Sequence, residues 1–281
     1  MRIKAYAKVN LCLNVKGKRS DGYHDLEMIM LPIDLHDQIE ITISEKMELI
    51  SNVKYIRLNS SNSIIKTIEL LRSIYNFKEN FKITIKKTIP MQAGLAGGSA
   101  DAAATIIVIN SIMNLNMSVE QMLDVALKIG ADVPFCLYSH PAYVTGIGEN
   151  LDHFSTGLDY EILLVKPKTG VPTKECFANI DHANLKHYDC DAMYNALTTN
   201  NYDLMLKSLG NSLEDSAILI NKDIQIIKDK LNTLGFDAVL MTGSGSTVMG
   251  FTKDKRLLKM ATTKLRKDHY FVRGVKVLEH E

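Results

Sequence analysis

The chain has 281 residues, 46% hydrophobic and 23% charged, with 33 basic against 32 acidic side chains and a formal net charge of +1. That length holds one large domain or two of ordinary size, and the composition is that of a globular chain rather than a disordered one. The balanced charge removes the electrostatic case for nucleic acid or an anionic membrane as a partner. No stretch is apolar over the length that a bilayer crossing needs. Lys4, Lys8 and Asn10 interrupt any apolar leader, so the N-terminus reads as structure rather than signal, and a cytoplasmic protein is expected. Cys12, Cys136, Cys176 and Cys190 form no C-x-x-C pair and no zinc spacing. Four reduced, mostly buried thiols are expected.

Residues 2–16 alternate. Ile3, Ala5, Ala7, Val9, Leu11, Leu13 and Val15 share one face of a strand, and Lys4, Tyr6, Lys8, Asn10 and Asn14 the other. Lys8 and Asn10 are therefore expected to point the same way, away from the core. Residues 17–25 read as a turn, followed by strands over about 27–34 and 38–44. Asn62 or Ser63 caps a helix running to about 75, and residues 81–89 alternate as a further strand. A glycine-rich segment opens into a helix over 100–112. Ser118 to Gln121 is a capping box for the next helix, with Gly130 expected beyond its end. The second half carries a strand at 160–165 and weak helical signals over 191–209. A helix at 224–234 stops at Gly235. Short strands at 238–241 and 247–251 flank a Gly-Ser-Gly turn, and a helix at 254–267 precedes a last strand at 270–278. The pattern predicts an α+β architecture. A boundary near 155 divides it into residues 1–155 and 156–281.

Three segments carry candidate chemistry. The first is residues 90–101, Pro-Met-Gln-Ala-Gly-Leu-Ala-Gly-Gly-Ser-Ala-Asp, between a strand and an alanine-rich helix. Its small residues let the backbone approach a ligand, and free N–H groups at a helix start attract an anion. Ser99 adds a hydroxyl where a phosphate or its magnesium ion would sit. The spacing is neither a Walker A loop nor a Rossmann fingerprint, and the competing reading is a tight turn without a ligand. The second is Gly130-Ala131-Asp132-Val133-Pro134, where Pro134 is expected to hold Val133 extended. Asp132 there is either a turn residue or, with Lys8, half of a phosphoryl-transfer pair: a proton acceptor and a positive charge. The third, Thr242-Gly243-Ser244-Gly245-Ser246, reads by itself as a hairpin turn.

Together, in this order, these segments resemble the GHMP kinases, the galactokinase, homoserine kinase, mevalonate kinase and phosphomevalonate kinase superfamily. Ala7 to Leu11, followed by Gly17-Lys18-Arg19-Ser20-Asp21-Gly22-Tyr23-His24, is similar to the branch acting on 4-diphosphocytidyl-2-C-methyl-D-erythritol. The resemblance runs from Lys4 to about Phe251. It implies a two-domain fold, with a ribosomal-protein-like α/β nucleotide domain, a ferredoxin-like α+β domain and an active site between them. It implies ATP with Mg2+ and transfer of phosphate to the 2-hydroxyl of that cytidyl alcohol in the non-mevalonate isoprenoid route. The enzyme would be a monomer or weak homodimer without nucleic acid or membrane partners.

By the same resemblance Asp132 is the catalytic base and Lys8 polarises the substrate hydroxyl. Pro90, Gly94, Leu95, Ala96, Gly97, Gly98, Ser99 and Ala100 bind ATP, with Asn62 and Lys87 near the nucleotide. Asn10, Tyr23, His24, Thr173 and Phe177 bind the substrate, with Phe177 across the cytosine from Tyr23 and His24. Gly243, Ser244 and Gly245 form the third motif. No metal ligand is assigned, with Ser99 the one candidate. Three of them have a plainer alternative: Tyr23 a turn cap, Phe177 core, Lys87 a solvated charge. The chain departs from the family at Ala96 and Ala100, where glycine and serine are usual, and at Ser212. If the loop needs positive φ at residue 96, alanine costs about 1 kcal/mol there. Two other readings compete, a sister kinase for another alcohol and a binding module without transfer. Tyr23, His24 and Phe177 argue against the first, and the retained Lys8 and Asp132 against the second.

Overall fold

The computed structural model describes residues 1–54, 56, 58–180, 184–268 and 270–278. They fall into two compact units. The first holds Met1–Ala7, Leu35–Ile89 and Ala96–Ser139, and the second Lys8–Asp34, Pro90–Leu95 and the chain from His140 onward. The boundary expected near 155 cuts the chain in sequence order, whereas these units group residues by contact. Two long strands, β1 (Arg2–Lys18) and β2 (His24–Ser44), contribute to both. The two strands expected over 27–44 are thus one. Asp37 keeps the buried register between Leu35 and Ile39, so the polar residue does not break the strand.

In the first unit, β3 (Glu48–Ser51) and β4 (Asn80–Lys86) continue the sheet beside β2 and β1. The antiparallel pairs Ile39↔Ile85 and Ile41↔Ile83 stack buried β-branched residues across β2 and β4. Helix α1 (Ser63–Tyr75) starts at the expected cap, Asn62, and buries Ile64, Ile65, Ile68 and Leu71. Helix α2 (Gly97–Ile112) is apolar on most sides, because it is enclosed by α1, α3 (Val119–Ile129) and α4 (Val133–Tyr138). Both bonds of the Ser118–Gln121 capping box form. Two expectations change. Gly130 ends α3 with an extended backbone, φ 176, rather than a left-handed one. Val133 is helical, not extended: Pro134 lies in the first turn of α4, where its missing N–H leaves no intrahelical bond unmade.

In the second unit, β2 pairs with β5 (Ala142–Gly146), and β5 with β6 (Asn150–His153). Beyond β7 (Glu161–Lys166) come α5 (Thr173–Ala178), α6 (Cys190–Thr198) and α7 (Tyr202–Lys207). The two residues of β8 (Gly210–Asn211) then lie parallel to β1 at Cys12 and Leu13, and α8 (Glu214–Ile220) follows. The last elements are α9 (Asp223–Leu234), β9 (Ala238–Met241), β10 (Val248–Thr252), α10 (Lys255–Arg266) and β11 (Phe271–Val275). The sheet order β11-β7-β10-β9 places the fourth strand beside the first and the third between first and second. With α9 and α10 as its two helices, this is the ferredoxin-like arrangement expected for the second half. Gly235 ends α9 in the left-handed conformation, φ 92.

The expectation of four thiols is corrected. Cys12 and Cys190 form a disulfide with a Cα–Cα distance of 5.7 Å, tying β1 to the first residue of α6. Cys136 and Cys176 are buried thiols, and burial pushes the Cys176 thiol up to about 11. Among the described residues no helix is long and apolar enough to cross a membrane.

Candidate active site

Parts of three chemistry-bearing segments meet within the second unit. Residues two apart on a strand share a face, and Lys8 Nζ donates to Asn10 Oδ1 at 2.7 Å. That face, expected to point away from the core, is itself buried: Lys8 is 4% exposed and Asn10 is fully buried. The cover comes from the other two segments. The Lys8 N–H donates to the Leu95 carbonyl at 3.2 Å, and the Asn10 N–H to Thr242 Oγ1 at 2.8 Å.

The loop and the turn touch through bare glycines. Gly94 has φ 73, and a Cβ there would overlap the Thr242 carbonyl oxygen. Gly243 has φ 57, and its Cβ would stand 2.8 Å from the Gly94 carbonyl oxygen. The N–H groups of Ser246 and Thr247 reach the Gln92 and Ala93 carbonyls at 3.4 Å. Residues 242–247 still join β9 to β10 as a hairpin, closed by Thr242 N–H to Thr247 C=O at 3.0 Å. The same turn therefore serves as a hairpin and as the loop's support.

On the substrate side, Thr173 opens α5 and its Oγ1 is hydrogen-bonded to Ser244 Oγ at 2.9 Å. One turn later Phe177 stacks on His24, with ring centroids 5.1 Å apart and planes 28° apart. A base lying between two rings needs their centroids about 7 Å apart, two van der Waals layers. His24 and Phe177 thus stack on each other rather than framing an open slot. Tyr23 beside them is 58% exposed.

The first unit carries the start of α2. Ala96 is its N-cap with φ 56, and no side chain caps the helix. The first intrahelical bond runs from Ala100 N–H to Ala96 C=O at 2.9 Å, so the N–H groups of Gly97, Gly98 and Ser99 have no intrahelical acceptor. Gly98 faces the start of α1, where its Cβ would meet Ser63 Oγ at 3.8 Å. Asn62 caps α1 by accepting the Ile64 N–H at 2.9 Å. Two helix starts side by side are a favourable place for an anion. The positive φ at Ala96 meets the condition set above for strain. Ala96→Gly is expected to raise stability by up to about 1.6 kcal/mol: relief of roughly 1–2, less the 0.4–1 returned by a looser unfolded chain. Urea unfolding measures it, and a loss of stability would show that alanine carries no strain there.

Lys87 is not a solvated charge. Its side chain is 6% exposed, and Nζ donates to Asp37 and, at 2.7 Å, to Asp101 Oδ2. The two carboxylates outweigh desolvation and raise the lysine pKa. Burial pushes the Asp101 carboxyl up to about 7. Asp37 and Asp101 were not singled out from sequence. The available signal was an aspartate in the core-facing register between Leu35 and Ile39. Asp132, half-buried, is the N-cap of α4 and belongs to the first unit; Lys8 belongs to the second.

Family models for the GHMP kinase N-terminal and C-terminal domains match residues 62–140 and 193–270. The 4-diphosphocytidyl-2-C-methyl-D-erythritol kinase of Bacillus cytotoxicus is 40% identical over 250 residues, covering 88% of this chain and 86% of that one. Its counterpart from Bacillus cereus is 39% identical over the same shares. The crystal structure of a 4-(cytidine 5'-diphospho)-2C-methyl-D-erythritol kinase superposes with a TM-score of 0.80 at 27% identity, covering 98% of this chain and 99% of the other. A homoserine kinase from Cytophaga hutchinsonii, at 16% identity and a TM-score of 0.74 over 98% of this chain and 95% of that one, shares the fold. On these matches and this architecture, the chain belongs to the GHMP kinases, in the family of its 4-diphosphocytidyl-2-C-methyl-D-erythritol kinase relatives.

Proposed function

We propose that this ATP-dependent small-molecule kinase phosphorylates the 2-hydroxyl of 4-diphosphocytidyl-2-C-methyl-D-erythritol, giving the 2-phosphate and ADP for non-mevalonate isoprenoid synthesis. The observation that carries the reading is 40% identity, over 88% of the chain, to a relative bearing that name. Asp132 takes the hydroxyl proton as the alcohol attacks. Lys8, oriented by its bond to Asn10, places positive charge beside the reacting oxygen. The open N–H groups of Gly97, Gly98 and Ser99 hold the phosphates, with Pro90, Gly94, Leu95, Ala96 and Ala100 shaping the loop and Asn62 beside it. Gly243, Ser244 and Gly245 brace that loop, and Thr173 ties α5 to the brace. The cytosine stacks among Tyr23, His24 and Phe177, which requires the His24–Phe177 stack to part.

Among the described residues no group of three or more His, Cys, Asp or Glu is arranged to hold a metal ion. Magnesium would be carried by the triphosphate and water, with the Ser99 hydroxyl as the side chain suited to reach it. Bound there, it would neutralise phosphate charge. The reading places the enzyme in the cytoplasm as a monomer or weak homodimer, without nucleic acid.

The test is an ADP-release assay with ATP, Mg2+ and a panel of alcohols: the cytidyl compound, mevalonate, homoserine and galactose. Turnover of the cytidyl compound alone is expected. An inert cytidyl compound beside turnover of another alcohol would overturn the substrate and leave a kinase. ATP binding with no turnover of any alcohol would favour a binding module.

A further inference from the structure

Two carboxylates and one ammonium lie buried beneath the start of α2. The side chains of Lys87, Asp37 and Asp101 are 6%, 0% and 6% exposed. Lys87 Nζ donates to both carboxylates. Asp37 Oδ1 also accepts the N–H groups of Thr88 at 2.5 Å and Ile89 at 2.9 Å. The cluster therefore grips both stems of the glycine-rich loop: residues 87–89, where the chain leaves β4, and Asp101, one turn into α2. Gly97 completes the contact. A Cβ there would lie 2.9 Å from Ile89 Cγ2 and 3.5 Å from Lys87 Nζ, so the helix start rests directly on this layer.

The composition of the cluster argues against packing as its purpose. The Lys87–Asp37 pair is already balanced. Asp101 adds a second carboxylate, and its Oδ1 is buried without a hydrogen-bond partner among the described residues. Burying a second carboxylate with one oxygen unpartnered is costly, and apolar side chains would hold two stems together more cheaply. Charge-assisted hydrogen bonds add what apolar contacts lack, a fixed direction as well as a distance. We propose that Asp37, Lys87 and Asp101 are positioning residues for the nucleotide, holding the two stems so that the Gly97, Gly98 and Ser99 N–H groups converge on one phosphate position. Lys87 then serves ATP from beneath the loop, not by touching it. The inference rests on the reading of this helix start as the nucleotide site.

Asp101→Leu is the discriminating variant. It removes the unpartnered oxygen and leaves Lys87 balanced by Asp37, so the thermal midpoint should hold. ADP affinity, measured by calorimetry, is expected to fall at least about tenfold, the worth of one charge-assisted hydrogen bond. KM for ATP should rise to match, with KM for the alcohol unchanged. Unchanged or tighter ADP binding overturns the proposal, because that is the outcome if Lys87 contacts the nucleotide itself or if Asp101 merely repels it. The triple variant Asp37→Asn/Lys87→Met/Asp101→Leu replaces the charged link by neutral side chains and keeps an amide oxygen for the Thr88 and Ile89 N–H groups. With no charge left buried alone, it should fold with a midpoint near that of the parent and still bind ADP at least about tenfold more weakly. Recovery of full affinity would make the cluster packing alone. A parent chain that binds no ADP would defeat the nucleotide site and this proposal together. A parent that binds ADP, beside an Asp101→Leu variant that binds equally well, would defeat only this proposal.

Discussion

Asp132→Ala is expected to lower kcat by a factor on the order of 10²–10⁴, the range for removing a positioned general base. Nucleotide affinity and folding should barely change. Asp132 is the N-cap of α4, yet its side chain makes no capping hydrogen bond to that helix. The helix is held instead by Val133, Pro134, Phe135 and Cys136, all buried. Alanine at 132 therefore removes a carboxylate that does not cap the helix it begins. ADP release measures the loss in turnover, calorimetry with ADP the binding, and thermal unfolding the stability. ADP release undiminished in this variant would take Asp132 out of the mechanism. A fall in turnover matched by a fall in the unfolding midpoint would instead assign it a structural role.

Gly94→Ala is expected to destabilise the chain by about 3 kcal/mol or more, the sum of two costs. One is backbone strain. Gly94 has φ 73, where an L-residue pays roughly 1–2 kcal/mol. The other is collision. The new Cβ would overlap the Thr242 carbonyl oxygen, and that oxygen is itself held by the Gly245 N–H at 3.1 Å. Gly235 is the control. It has φ 92 but nothing within 4 Å of a Cβ, so Gly235→Ala should cost only the strain. Denaturant unfolding of the two variants separates the terms. Equal losses would show that the loop and the turn do not press on each other. If Gly94→Ala survives folding, turnover should fall as well, because the displaced Leu95 carbonyl is the acceptor for Lys8 N–H.

Several features were legible because they are local. The strand over residues 2–16, the Asn62 cap, the Ser118–Gln121 box and the Gly235 stop depend on neighbours a few residues away, and each appears where expected. Pro134 shows the limit of such rules. The residue before proline is disfavoured in a helix, but the first turn of a helix tolerates proline, and which applies depends on whether a helix follows.

By itself the sequence determined the α+β class, the glycine-rich helix start and, through the resemblance its motifs bear to the GHMP kinases, the kinase family. Only the tertiary structure decided what those segments touch. The face of β1 carrying Lys8 and Asn10 looks solvent-facing in isolation, and it is buried because Leu95 and Thr242 cover it. Cys12 finds Cys190 across 178 residues, a pairing that no spacing reveals. Lys87 looks like a surface charge until Asp37 and Asp101 enclose it. Each outcome depends on contacts between residues far apart in the chain. Burial, and with it the meaning of a charge or a thiol, is a property of those contacts and not of the residue that bears it.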